Sequence, residues 1–345
     1  MKLELPYLLQ SKNICYFEGE NFYIGNRKIF PFERSFVCCK SVEEIAYSIK
    51  NMITQGGGPL QVSLTSLIYI ATMMENKVIP YSFEQLQKSQ RIITSSRPTN
   101  TTMKRVSEVI LEKLESDMEH LNPTQFKNVV ISAVKEEENE ENTVYNNMGL
   151  WGASLINDGD TILTTCFAEH TLILSLYYAM KEGKKVKALA NETRPYFQGA
   201  RLTAPSLNEM GIPVEIICDG MGAYFMRGNS VNHYMTAADL VCMDGTVVNK
   251  VGTLPNAIAA NCYGIPYTAF SMSPDTTKED KSMIEMELRD GSELLNVFGH
   301  KISDNDIGAI YPSFDVIDKE LVSNIVTNKG IFKPKEIKEN FWWKQ

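Results

Sequence analysis

One thiol and one carboxylate stand where side chains can do chemistry. Cys166 closes the apolar run TILTTC, and FAEHTLILSLYYAMKEG leads away from it with helical spacing. A thiol where a strand hands over to a helix meets free N–H groups and partial positive charge. Those favour thiolate, and with it acid, base or nucleophilic work. The same place also suits a small packed side chain. Asp239 lies in MTAADLV among apolar residues. A carboxyl in such surroundings can hold its proton and act as a general acid, or simply cap nearby backbone.

Around these two lie candidates for binding an anion. NETRPYFQGARLTA (191–204) carries Arg194, Arg201 and Gln198, with Gly199 opening a helix. Helix starts and arginine forks both suit phosphate or carboxylate. QGGGP (55–59) offers loop amides through Gly56, Gly57 and Gly58, SRPTN adds Arg97, and NKVGT adds Asn249 and Lys250 at the start of a helix. Together they point to a small phosphorylated ligand. QGGGP lacks the Lys and Ser/Thr of a P-loop, and no G-x-G-x-x-G follows a strand, so ATP and NAD are disfavoured. The four histidines show no ligand spacing, which argues against a metal. His170 follows Cys166 by four residues without any protease signature.

The bulk properties narrow the field further. A net charge of −8 argues against a nucleic-acid binder held by phosphate contacts. No apolar run reaches membrane-spanning length, and the first twenty residues do not read as a secretory signal. Seven cysteines with no CxxC fit neither a disulfide framework nor a zinc site, so a reducing cytoplasm is expected. KEEENEEN (135–142) reads as a solvated helix face or turn.

Which elements must position these residues? A chain of 345 residues is too long for one simple core, and two domains are expected, 1–130 and 131–345. The first begins with short strands in NICYFEGENFYIGNRKIFPFERSFVCC and continues as helices, opening with SVEEIAYSIKNMIT. In the second, TILTTC, KVKALANET, VEIICD, HYMTAADLV and PYTAFS read as buried strands alternating with helices. That pattern predicts an α/β fold, a Rossmann-like, mainly parallel sheet following a smaller, mostly helical domain. Ligands of such sheets sit beyond the carboxyl ends of the strands. Cys166, the stretch Asn191–Arg194 and Asp219 end strands there, and Asp239 lies late in one.

At NETRPYFQGARLTA the chain resembles the methylthioribose-1-phosphate isomerase family, which is related to regulatory subunits of a translation-initiation exchange factor. QGGGP resembles the family's glycine loop, SRPTN its Arg-Pro-Thr segment and TILTTC the strand ending in its catalytic cysteine. AADLVCMDGTVVNKVGT resembles the segment from its catalytic aspartate to Asn-Lys-Ile-Gly-Thr, and YPSFDVIDKE its closing Pro-Ala-Phe-Asp-Val stretch. The resemblance covers almost the whole chain. It implies an aldose 1-phosphate to ketose 1-phosphate isomerase of methionine salvage, a cytoplasmic homodimer working without metal or cofactor. By resemblance Asp239 is the acid for ring opening and Cys166 serves the C1/C2 hydrogen shift. Arg97, Gln198, Asn249, Lys250 and Gly56–Gly58 hold phosphate and sugar. A regulatory relative would not need Cys166 and Asp239 together. The chain departs from the family pattern at Gln55, Thr165, Phe167, Glu169, Leu240 and Pro205. These surround the sugar, so methylthioribose 1-phosphate or a related 5-substituted pentose 1-phosphate is the expected substrate.

Overall fold

The computed structural model describes residues 3–97, 101–286, 288–304 and 306–341. It separates into two compact units, within residues 1–143 and 144–345. The boundary expected at residue 130 falls inside one long helix, α6 below.

In the first unit a turn of helix, α1 (Ser11–Ile14), precedes three strands: β1 (Cys15–Glu18), β2 (Asn21–Gly25) and β3 (Phe36–Cys39). They form an antiparallel sheet in the order β1-β2-β3. Helices follow: α2 (Val42–Lys50), α3 (Gly58–Glu75), α4 (Phe83–Thr94), α5 (Thr101–Met118) and α6 (Pro123–Ser154). Ser41 starts α2 as its pattern predicts, its hydroxyl accepting from the Glu44 N–H at 3.2 Å. The helix α3 is apolar on nearly every side. It fills the middle of this unit, with Leu64, Leu67 and Ile70 fully buried beside Phe22, Ile24, Ile45 and Phe126.

The second unit alternates strand and helix. Its strands and helices begin β4 (Thr161–Thr164), α7 (Glu169–Lys181), β5 (Lys187–Asn191), α8 (Ala204–Glu209) and β6 (Val214–Ile217). Next come α9 (Gly222–Arg227), β7 (His233–Ala237), β8 (Leu240–Val241), β9 (Val247–Lys250), α10 (Thr253–Cys262) and β10 (Tyr267–Phe270). Short pairs follow: β11 (Leu288–Arg289), β12 (Asn296–Val297), β13 (His300–Lys301) and β14 (Tyr311–Pro312). The last elements are β15 (Phe314–Ile317), β16 (Asn324–Thr327), β17 (Gly330–Phe332) and α11 (Ile337–Phe341). Among the described residues the main sheet has the order β17-β16-β10-β7-β4-β5-β6. Every pair is parallel except β16 with β17. Strands covered on both faces read as continuous apolar runs, and β4 is buried at all four positions.

The strand order carries the functional consequence. From β4 the chain steps outward through β5 and β6, then returns to lay β7 on the other side of β4. Connections diverge between β4 and β7, which opens a crevice at their carboxyl ends. Cys166 follows β4 by two residues and Asp239 follows β7 by two. HYMTAADLV is therefore not one strand: it breaks after Ala237, and Leu240–Val241 joins β9 and β15 in a separate antiparallel sheet. Nor do Asn249 and Lys250 open a helix. They end β9, and α10 begins only at Thr253 after Gly252, whose φ of 100° is left-handed.

Candidate functional site

Cys166 sits in a strained turn that side chains hold from both directions. Its φ is 68°, and Thr193 (65°), Phe197 (57°) and Glu169 (44°) are left-handed too. None is glycine, and such backbone costs about 1–3 kcal/mol per residue. The surroundings over-determine it. The Cys166 N–H donates to the Thr193 hydroxyl at 3.0 Å, and the Thr203 hydroxyl donates to the Cys166 carbonyl at 2.6 Å. Thr193 is fixed in turn by Asp219, whose carboxylate accepts from the N–H groups of Thr193 (2.7 Å) and Arg194 (2.8 Å). Below lies a buried polar knot. The Thr165 and Tyr234 hydroxyls are 2.8 Å apart, and Asn256 donates to the Asn191 side chain at 2.9 Å.

The thiol does not behave as its helix-start position suggests. Burial pushes Cys166 up to about 12, against the pull of the Lys250 ammonium and with smaller pushes from Asp239 and Asp219. At neutral pH it is a thiol, not a thiolate. The helix contributes little because α7 starts at Glu169, three residues on, and the N–H that reaches the sulfur is that of Phe167, before the helix. Part of the cysteine remains accessible. The Asp239 carboxylate, expected among apolar neighbours, is instead exposed, because the strand breaks beside it and turns it out at the crevice.

Lys250 is the third member. Only 5 % of it is exposed. Its ammonium donates to the Tyr311 hydroxyl and lies 4.6 Å from the Tyr311 ring centre and 5.2 Å from that of Tyr196. Burial lowers its pKa, while Cys166 and Asp239 raise it. The turn after it is capped at a distance: Asp315 on β15 accepts from the N–H groups of Gly252 (2.8 Å) and Leu254 (2.9 Å). Asn249 is buried, with its side-chain amide 3.0 Å from the Thr253 hydroxyl.

Gln198 is also buried in this unit, and its side-chain carbonyl oxygen has no hydrogen-bond partner among the described residues. It precedes Gly199, where a Cβ would meet the Asn191 carbonyl oxygen at 1.7 Å, so only glycine lets this helical turn rest on the end of β5. The two arginines of the stretch serve the fold. Arg201, buried, donates to the Tyr196 carbonyl through Nε (2.9 Å) and Nη2 (2.6 Å). Arg194 donates to the Leu294 carbonyl at 2.7 Å.

The glycine loop and Arg97 belong to the first unit. Gly56 has φ 61°, Gly57 caps α3 and Gly58 begins it. A Cβ at Gly58 would strike the Thr54 hydroxyl at 2.0 Å. The buried Arg27 supports the loop, donating to the carbonyls of Gln55 and, at 2.7 Å, Leu8. The Gln55 side-chain oxygen is buried without a hydrogen bond among the described residues. Arg97 follows α4 and is half-buried, and the rest of its motif, Pro98 to Asn100, lies outside the described residues.

Among the described residues no cluster of His, Cys, Asp and Glu could hold a metal ion. Buried His233 is occupied by the Thr268 hydroxyl at 2.8 Å, and burial lowers it to about 4. No helix among the described residues is long and apolar enough to cross a membrane. Sequence reasoning missed Tyr196, Arg289, Glu293 and Tyr311. For Tyr196 and Tyr311 the signal was an aromatic beside a motif, in RPYFQG and IYPSF, whereas Arg289 and Glu293 lie in ELRDGSE, beside no motif.

The chain belongs to the initiation factor 2 subunit family, whose profile matches residues 61–334. Within that class it is similar to methylthioribose-1-phosphate isomerase of Thermosipho africanus, 32 % identical over 92 % of this chain and 93 % of that one. The isomerase of Fervidobacterium nodosum is likewise 32 % identical, with the same coverage. The crystal structure of 5-methylthioribose 1-phosphate isomerase from Pyrococcus horikoshii superposes with a TM-score of 0.82 at 26 % identity, covering 95 % of this chain and 94 % of that one. Subunit delta of the initiation factor eIF-2B from A. fulgidus shares the fold, with a TM-score of 0.79 at 24 % identity, covering 94 % of this chain and 96 % of that one.

Proposed function

We propose that this chain is an aldose–ketose isomerase that converts methylthioribose 1-phosphate, or a closely related 5-substituted pentose 1-phosphate, to the ketose 1-phosphate. The observation that carries the reading is the meeting of Cys166, Asp239 and Lys250, three groups of different proton chemistry, at the crevice between β4 and β7. Relatives carrying that activity in their names align with more than nine-tenths of the chain.

The chemistry asks for such a trio. The 1-phosphate locks the sugar ring, so the C1–O4 bond must break and O4 must gain a proton. Hydrogen then moves from C2 to C1, and the C2 hydroxyl loses its proton as it becomes the ketone. One proton is taken up and one released, and a single carboxyl can supply the first and accept the second. Asp239, accessible at the crevice, takes that part. Cys166 presents a neutral thiol beside C1 and C2, where a thiolate would repel the developing oxyanion. The Lys250 ammonium stabilises negative charge on the C2 oxygen, an electrostatic contribution that is strong where water is excluded. Gln198 and Asn249 bind hydroxyls. The amides of Gly56–Gly58 and the Arg97 guanidinium, in the first unit, are suited by type to a phosphate. A cytoplasmic homodimer acting in methionine salvage belongs to the same proposal.

The test is a panel of pentose 1-phosphates differing at C5, each incubated with the protein while 31P and 13C NMR follow ketose formation. Methylthioribose 1-phosphate should turn over fastest. Binding without turnover across the panel would leave a ligand-sensing subunit as the better reading.

A further inference from the structure

Lys250 is an expensive residue to bury. An ammonium taken from water needs compensation, and a methionine of similar length would fill the space at lower cost. Among the described residues its ammonium donates to a neutral phenol, Tyr311, and two aromatic faces flank it. Those groups come from separate parts of the chain. Tyr196 follows β5, and Tyr311 lies on β14. The register brings Tyr311 there: β15 runs antiparallel to β9 with Phe314 opposite Lys250, and the Val251 N–H donates to the Ser313 carbonyl at 3.1 Å.

The second wall is tethered as well. The Tyr196 hydroxyl donates to the Glu293 carboxylate and accepts from Arg289 Nη1 at 2.5 Å. Arg289 on β11 is paired in turn with Tyr311 across β14. The two tyrosine rings meet edge to face at 6.2 Å. Titratable groups therefore surround the ammonium: the Cys166 thiol after β4, and the charged Asp239 after β7, Glu293 before β12 and Arg289 on β11.

We propose that Tyr311 is a positioning residue, which with Tyr196 forms an aromatic box that fixes the Lys250 ammonium beside Cys166. It acts through Lys250 and does not itself meet the reacting atoms. The consequence for turnover rests on the isomerase reading, whereas the effect on Lys250 does not.

The experiment uses ligand-free full-length protein with isotope-labelled lysine. NMR follows the Lys250 side chain against pH, with the signal assigned from the Lys250→Met spectrum. Tyr311→Phe keeps the ring and removes the hydrogen-bond acceptor. It should lower the midpoint of Lys250 by about one pH unit, as expected for losing a hydrogen bond to a charged group. Glu293→Gln should also lower it, and Arg289→Gln should raise it, because the two neighbours act with opposite signs. Both are half-buried, so they keep the test open should Tyr311→Phe fail to fold. In the isomerase assay, Tyr311→Phe should reduce kcat about tenfold with KM nearly unchanged, and its alkaline limb should move down with the lysine. An unmoved midpoint in Tyr311→Phe, or the same direction of shift in Glu293→Gln and Arg289→Gln, overturns the proposal. If no variant and no wild-type sample turns over sugar, the isomerase reading fails while the lysine titrations still decide the box.

Discussion

Two cysteines in this protein share a property and differ in everything else. Burial pushes Cys15, on β1 of the first unit, up to about 12, and it does the same to Cys166 in the second. Cys15 is ordinary strand, 5 % exposed, donating to the Thr65 hydroxyl at 3.3 Å inside the helical core. Cys166 is left-handed, partly accessible and flanked by an ammonium and a carboxylate. A raised thiol alone therefore marks burial. Strain held by hydrogen bonds, access and opposite charges nearby mark a site.

That contrast can be broken at several points. The largest effect should come from Cys166→Ala, which should reduce turnover about 10²–10⁴-fold, the range expected for losing a group positioned beside the C1/C2 hydrogen shift, with the melting temperature little changed. A drop confined to stability would make Cys166 a second Cys15. Thr203→Val removes the donor to the Cys166 carbonyl and leaves a buried acceptor unpaired, at about 1–3 kcal/mol. Turnover measured under saturating sugar should fall about tenfold while circular dichroism stays native.

Alkylation kinetics separate the thiols by a different route. Modification of Cys166 should be slow at neutral pH and accelerate as pH rises toward 12, whereas Cys15 should stay unmodified until the protein unfolds. Mass spectrometry of timed samples reads both. The smallest effect on turnover should be that of Cys15→Val, less than twofold by rough expectation, because this thiol only packs. Stability shows its signature instead. The folded value lies above the ordinary 9.0, so the Cys15 contribution is complete below pH 9.0 and is lost as pH climbs to about 12. Alkaline melting curves of Cys15→Val should lack that part of the decline.

Much of this was legible in the sequence. Alternating strands and helices from TILTTC onward sufficed for the parallel sheet, and Ser41 before two glutamates sufficed for the start of α2. Cys166 and Asp239 were singled out as candidates from their places near strand ends. What composition and spacing did not carry was the balance of forces on them. Local position gives Cys166 a helix terminus, but burial by distant chain outweighs it. Asp239 has apolar neighbours in sequence, yet the break between β7 and β8 turns it outward. β16 escaped notice because it pairs with β10 far back in the chain, and β17 only extends it as an antiparallel hairpin. Tyr311 became visible only through the register of β15 on β9.

One measurement bears most directly on the central claim. Wild-type protein, Cys166→Ala and Asp239→Asn are each incubated with methylthioribose 1-phosphate, and ketose 1-phosphate is followed by NMR, with folding checked on the same samples. Conversion by the wild type alone is the predicted result. Folded variants that convert the sugar as fast as the wild type would contradict it.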